Sequence, residues 1–442
     1  MANDGNRPTS EPEWAAFVGL DWGDQKHQWK LQEAGSGHCE QGELRNAPED
    51  LDAWASQLHF RFQGQPIAVC LEQSRGAVVY QLCKHAHLVL YPVHPKAAAR
   101  FREACHPSGG KSDARDAAAL LDLLMHHRDR LRRLDPESPQ TRLLQMCVEQ
   151  RRMWVDEKTC LSNRLTACLK QYFPQVLDWV DDIDSPMGCA LLQQWPSLEA
   201  LQSNHPGSLR RFFTQHNCRS QKRIQERLEA IPAARPAIQD AAMREAGPRL
   251  VQHIVALIQV LHKQIKELER RIAQLVQEHP EAPLFKGLPG VGPALLPRLI
   301  VAFGSDRQRY TSAAQLQAYS GVAPVTQQSG RSRAVHFRRA CPKFLRQTFV
   351  EMAGHSIAKC GWARAYYAQH RSQGQRHQAA VRALAFKWLR VLFACWKNRT
   401  PYDEQIYLRA LQNNRSRLVQ ILGTHLQWKE QAGFQKICAE KP

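Results

Sequence analysis

WAAFVGLDWGD, residues 14–24, decides how the rest of the chain is read. Apolar residues run without a break into Asp21, and a Gly-containing turn follows at once: a strand that ends on a carboxylate. HQWKLQEA (27–34) and HCEQGELRN (38–46) continue as two more strands, joined through turns at Gly23–Gln25 and Gly35–Gly37. PEDLDAWASQLHF (48–60) begins with Pro and acids, as a helix N-terminus prefers. PIAVCLE (66–72) and HLVLYPV (87–93) are short continuous apolar runs, the pattern of strands buried on both faces, and GAVVYQLCKH (76–85) between them fits a crossover helix.

Three meandering strands, then helices alternating with buried strands, is the order expected of an RNase H-like sheet of the resolvase type. From Asp113 onward the chain turns helical. DARDAAALLDLLMHH (113–127) is rich in Ala and Leu, and residues 141–173 read as one long helix ended by Pro174. The fold class is α/β plus α. The organisation expected is a disordered tail at 1–13, the RNase H-like domain at 14–135, a helical coiled-coil region at 136–280, a mainly helical domain at 281–410 and a tail at 411–442. Residues 175–245 are mixed and carry little functional signal.

The balance of 60 Lys and Arg against 41 Asp and Glu gives a formal charge of +19 over 442 residues. A protein this basic is expected to meet a polyanion, because neutralising phosphates releases condensed counterions. Thirteen cysteines are loosely spaced, most of them inside apolar runs, which predicts reduced thiols acting as small hydrophobes, with no disulfide framework and no zinc. The polar start MANDGNRPTSEPEW lacks the apolar core of a signal peptide, and no uncharged run approaches the roughly 20 apolar residues that span a bilayer. The expectation is a cytoplasmic protein with no membrane partner, nucleoid-associated when acting.

The carboxylates carry the chemistry. Asp21 ends FVGLD and Glu72 ends IAVCLE, so two acids meet at one sheet end if these strands pair. GGKSDARDA (109–117) adds Asp113 and Asp116, spaced i, i+3 on one face of a helix start, with Lys111 just before them. N-terminal capping is the other reading of that pair. Four converging carboxylates would repel one another unless a divalent cation sat between them, and hard oxygen ligands select Mg²⁺, with Mn²⁺ as substitute. Two such ions about 4 Å apart can activate an attacking hydroxyl and stabilise a leaving oxygen of a phosphodiester. No nucleotide cofactor is expected.

Three further segments bear on nucleic acid and assembly. Ile254, Ile258, Leu261, Ile265 and Leu268 belong to a heptad seam over 251–275, read either as a protomer contact or as the partner of the 141–172 helix in the same chain. LPGVG (288–292) resembles a helix-hairpin-helix turn in which Gly290 and Gly292 let backbone amides approach a phosphate. Residues 331–400 hold fifteen Lys and Arg and the single acid Glu351, with aromatics such as Phe337, Trp362 and Trp388 interleaved. At its start, QQSGRSRAVHFRR (327–339) sets Ser329 among Arg331, Arg333, Arg338 and Arg339, and Lys343 and Arg346 follow. Positive charge of that kind offsets a pentavalent transition state if a serine attacks phosphorus, and Ser332 is an equal candidate on the residues alone.

FVGLDWGDQKHQW (17–29), LEQSRG (71–76), YPVHPKAAARFREACHPSGGKSDARDA (91–117), LPGVGPALLPRLIVAFG (288–304), AYSGVAPVTQQSG (318–330), RRACPKFLRQTF (338–349) and ALAFKWLRVLFACWK (383–397) together resemble one family. It is the DEDD-type insertion-sequence transposases, the insertion-sequence one-ten family of bridge-RNA-guided serine recombinases. The resemblance spans roughly 14–408. It implies that Asp21, Glu72, Asp113 and Asp116 are the four metal-binding carboxylates and Ser329 the nucleophile. It also implies a phosphoserine intermediate, a dimer or tetramer in which protomers share a site, and a structured guide RNA pairing with donor and target DNA. The rivals are a junction-resolving endonuclease that only cuts and an inactive nucleic-acid-binding remnant.

Overall fold

The computed structural model describes residues 13–105, 110, 112–415 and 418–419 and divides into two compact units, 1–136 and 137–442. Lys111 and most of the two expected tails lie outside the described residues.

The first unit is built on one mixed sheet. Strands β1 (Ala16–Asp21), β2 (Lys26–Glu33) and β3 (Cys39–Arg45) form an antiparallel meander, helix α1 (Pro48–Arg61) follows, and β4 (Ile67–Leu71), α2 (Ala77–Leu82) and β5 (Leu88–Pro92) complete the order β3-β2-β1-β4-β5. β4 runs parallel to both β1 and β5. Helices α3 (Pro95–Cys105) and α4 (Asp113–His127) close the unit.

Strand parity divides the side chains between two apolar layers. Ala16, Val18 and Leu20 of β1, Ile67, Val69 and Leu71 of β4, and Leu88 and Leu90 of β5 share a core with α1 and α2. The alternate residues Ala68, Cys70, Val89 and Tyr91 face Ala98 of α3 and Leu120 and Leu124 of α4. Every residue of β4 is buried, as a strand covered on both faces must be.

The described residues of the second unit form helices and one hairpin. A 34-residue helix, α5 (Pro139–Tyr172), leads to five short helices: α6 (Val176–Trp179), α7 (Pro186–Gln194), α8 (Leu198–Gln202), α9 (Pro206–Gln215) and α10 (Gln221–Ala233). The 38-residue α11 (Ala241–Glu278) returns along α5. Gly247 lies against the Tyr172 ring, Glu269 pairs with Arg151, and Thr141 Oγ1 is 3.0 Å from His279 Nε2, so the two helices run in opposite directions. Helices α12 (Ala282–Phe285), α13 (Leu296–Phe303) and α14 (Ala313–Tyr319) come next, then the hairpin β6 (Val325–Ser329) and β7 (Ser332–His336). The last four helices are α15 (Lys343–Lys359), α16 (Gly361–Ser372), α17 (His377–Asn398) and α18 (Glu404–Asn413).

Of the two readings of the heptad seam, the structure shows the one within the chain: Ile254, Ile258 and Leu261 are buried in one core with Leu161, Leu165 and Leu169 of α5 and with α6–α10, while Ile265 and Leu268 are only half-buried. A heptad needs an apolar partner surface, and α5 supplies it without a second copy. The interleaved aromatics of the basic region also prove partly structural. Trp362 and Trp388 are fully buried with ring centroids 4.6 Å apart, and the Trp388 indole donates to Ser356 Oγ at 2.8 Å.

Candidate active site

Asp21 is the last residue of β1 and Glu72 the first after β4; both are half-buried. Leu20 pairs with Leu71 across the parallel ladder, so the two acids are the next residues on neighbouring strands, which lie about 4.8 Å apart. Parity sets their face. Asp21 stands two residues beyond Gly19, and α4 crosses directly over Gly19: a methyl group there would fall 2.1 Å from the Ala117 carbonyl oxygen and 2.5 Å from the Leu121 nitrogen. The missing side chain at 19 is what lets the first turns of α4 approach the end of β1.

That first turn carries the other two acids. Ser112 caps α4, its Oγ accepting from the Arg115 amide at 3.4 Å, so neither Asp113 nor Asp116 is needed as the cap. Asp113 is exposed, whereas Asp116 is only 6% exposed and lines a small cavity with Glu72, Ala98, Arg102, Ala119 and Leu120. Into that cavity α3 sends Arg102, whose Nη1 donates to Asp116 Oδ1. The guanidinium is held above its usual value, first by this hydrogen bond and then by the charges of Asp116 and Glu72. Burial, with the Glu72 charge adding to it, pushes the neighbouring Cys70 thiol up to about 12, which keeps it protonated and unreactive.

The structure thus brings Asp21 beside Glu72 and Glu72 beside Asp116. Among the described residues, however, no three His, Cys, Asp or Glu side chains are gathered closely enough to hold a metal ion. The donors are all hard carboxylate oxygens, of the kind that suits Mg²⁺, and Arg102 pairs with the most buried of them, Asp116. Sequence reading missed this arginine. Its signal was its place in PKAAARFREAC, four residues after Ala98 and so on the same helical face.

In the second unit Ser329 sits at the tip of the β6–β7 hairpin, paired with Ser332 across a two-residue turn. Gly330, at φ 54°, fills the turn position that requires a positive φ. Both serines are exposed, as are Arg331 in the turn and Arg333 beside it on β7; Arg339, also exposed, lies beyond the base of the hairpin. Arg338 is a brace: its Nε donates to the Ala323 carbonyl at 3.2 Å, and Arg346 in turn donates to the Arg338 carbonyl at 3.0 Å. The guanidiniums of Arg346 and Arg382 lie 4.8 and 4.9 Å from the Phe337 ring centre, fixing the base of the hairpin. Lys343 is exposed at the first turn of α15.

The LPGVG turn splits its glycines between two jobs. At Gly290 (φ 82°) an added methyl would fall 2.8 Å from the His355 carbonyl oxygen, so this glycine serves packing against α15 rather than a ligand. Gly292 faces open space and lines a cavity of about 790 Å³ with Arg151, Lys286, Arg298 and Phe344. All twelve cysteines in the described residues are free thiols, and no described helix is long and apolar enough to cross a membrane.

Comparison with known proteins gives this arrangement its context. Residues 18–174 match the profile of DEDD transposases of the IS110 type, and residues 282–368 match that of the transposase IS116/IS110/IS902 family. The chain is 27% identical over 399 residues to a 43.6 kDa protein of insertion element IS110 from Streptomyces coelicolor, covering 88% of this chain and 96% of that one. It is 25% identical over 411 residues to the mini-circle transposase candidate for IS117 from the same organism, covering 89% and 97%. A pilin gene-inverting protein of Moraxella bovis is 29% identical over 152 residues, 32% of this chain and 46% of that protein. With profiles matching in both units and relatives aligned over nearly the whole length, the chain belongs to the IS110 family of transposases.

Proposed function

We propose that the protein excises and integrates a DNA element by phosphodiester transfer, with an RNase H-like first unit supplying the carboxylates and Ser329 of the second supplying the nucleophile. The observation that carries this reading is the pairing of Asp21 and Glu72 at the ends of adjacent parallel strands, beneath a helix whose first turn holds Asp113 and Asp116. The strand order β3-β2-β1-β4-β5, with an antiparallel meander on one side and parallel strands on the other, supports the RNase H-like assignment.

Mg²⁺ or Mn²⁺ held by Asp21, Glu72, Asp113 and Asp116 would supply Lewis-acid stabilisation of the developing phosphate charge. The protein's own residues do the rest. Ser329 Oγ gives up its proton and bonds to backbone phosphorus as one P–O ester bond breaks, the displaced DNA oxygen leaving as a hydroxyl once it takes up a proton, and the exposed Arg331 and Arg333 neutralise the added negative charge. The resulting phosphoserine keeps the bond energy until an oxygen of the second strand displaces the serine. A structured guide RNA is the proposed source of sequence choice, and a homo-oligomer the working form. The exposed Leu250, Leu257 and Val260 on α11, rather than its buried seam, are the apolar residues open to a second copy.

Asp21→Ala or Asp113→Ala abolishes strand cleavage and leaves salt-sensitive DNA binding intact; cleavage surviving both changes overturns the carboxylate assignment. A covalent protein–DNA adduct, trapped by denaturation, is lost in Ser329→Ala and retained in Ser332→Ala. If Ser329→Ala still cuts at the wild-type rate, the enzyme is a hydrolytic endonuclease instead. Protein purified from cells carrying the whole element brings down one discrete RNA from its flank; recovery of no specific RNA counts against guidance.

A further inference from the structure

The cavity beside Gly292, about 790 Å³ in volume, has walls from four helices of the second unit. Val148 of α5, Ile272 and Val276 of α11, Leu296 and Pro297 of α13 and the Phe344 ring of α15 make most of its lining apolar. Its outer side is formed by small exposed residues, among them Ala273, Gly287 and Gly292, so the apolar interior stays within reach of solvent. Cavities of about 300–1,000 Å³ with such walls and a few polar groups are where small organic groups bind.

The polar groups narrow the chemistry. Three bordering arginines are already held: Arg151 by Glu269, Arg152 by Asp156 and Arg298 by Glu351. Lys286, exposed at the edge, pairs with no carboxylate among the described residues. Gln277 and Gln347 each bring an amide, able both to donate and to accept. An apolar slot with an aromatic wall, amides and a cation at its mouth fits a flat heteroaromatic group tied to an anion. A nucleobase on its own phosphate is such a group, and the chain belongs to a family of transposases, which act on DNA. On the first turns of α15, Phe344 and Gln347 face the cavity while Arg346 braces the hairpin at Phe337, so the cavity and the base of the hairpin share one helix end.

We propose that this cavity receives one unpaired base of a DNA strand, with Phe344 as its stacking wall and Lys286 on the adjoining phosphate. A base that is already unpaired enters most readily, because one in a duplex must first be unpaired and unstacked. The site is independent of the carboxylates and of Ser329, and rests only on the chain's acting on DNA.

The test uses the full-length protein and a short single-stranded oligodeoxythymidylate carrying one 5-iododeoxyuridine. Irradiation crosslinks the iodinated base to the peptide that contains Phe344, identified by mass spectrometry. By fluorescence anisotropy the unmodified oligonucleotide binds about tenfold tighter than an abasic deoxyribose-phosphate chain of equal length, as one stacked base allows. Gly292→Leu puts a side chain into the mouth from a position that faces open space, so the fold is retained while the base is shut out. It removes the Phe344 crosslink and cuts the preference for bases to less than about threefold, with binding of the abasic chain changed by less than about twofold. Lys286→Gln weakens binding of both chains by a similar factor, about two- to threefold, through the lost phosphate contact.

A crosslink confined to other peptides, or a base preference that Gly292→Leu leaves unchanged, overturns the proposal. So does an oligouridylate that displaces the probe from Phe344 more strongly than the matching DNA does, which would make the cavity an RNA site. A lower particle mass by light scattering in Gly292→Leu, with the base preference intact, would seat a second copy there instead. Should Gly292→Leu give no cooperative melt, Ala273→Leu narrows the same mouth from an exposed position on α11, and the same outcomes decide.

Discussion

At Gly19 the space for a side chain is taken by the backbone of α4, and backbone cannot rotate out of the way as a side chain can. Gly19→Ala is therefore expected to destabilise the first unit by about 3 kcal/mol or more, whereas Gly292→Ala, facing open space, stays within about 1 kcal/mol by chemical denaturation. Nearby, His27 is fully buried, and its Nδ1 accepts from the Gly23 amide at 3.3 Å in the turn that follows Asp21. Burial, partly opposed by the Asn46 side chain, holds its pKa below the usual 6.5. Because the folded value is the lower one, the neutral ring's contribution is complete above pH 6.5 and fades as pH falls towards the folded pKa. The thermal midpoint of the first unit should drop on acidification from pH 6.5, and His27→Gln should flatten that limb; an unaltered slope would exclude His27 as its source. Asp21 and Glu72 were legible in the sequence because each ends an apolar run whose parity fixes its face. Arg102 was not, because its meaning depends on α3 crossing near α4, a tertiary fact with no local pattern.

For whole elements, periodicity located α11 well and left its partner open between a second copy and the 141–172 helix of the same chain. A repeat of 3 and 4 says that an apolar stripe is buried; it does not say against which chain. Ile258→Ala should cost about 2–5 kcal/mol by leaving a hole between α5 and α11, and should do so independently of protein concentration. Were the melting temperature of that variant to become concentration-dependent, the seam would be an interface after all. The hairpin shows the converse. VTQQSGRSRAVH is too polar to announce two strands, and burial confirms that almost nothing in it packs: its strand residues are mostly exposed. What sets its geometry is a glycine turn and the guanidiniums clustered at Phe337, and neither is an alternation that sequence reading can count.

Across the whole molecule, the excess of 60 basic over 41 acidic residues predicts DNA binding that weakens steeply between about 50 and 200 mM salt. A binding constant flat over that range would mean that charge is not the main attraction. Within the second unit, α5 and α11 belong to two separate cores: one gathers α6–α10 around Leu161–Tyr172, and the other gathers α12–α18 around Leu144–Val148. The distance between those cores is thus counted out in residues along two matched rods. Excising seven residues from each helix at the same level, 150–156 and 264–270, would shorten the spacing by about 10 Å and leave each core facing as before. Excising four from one helix alone would put the stripes out of phase. The strut behaves as a ruler graduated in heptads, and changing its length by whole graduations offers a way to ask how far apart the two cores must be held for recombination to proceed.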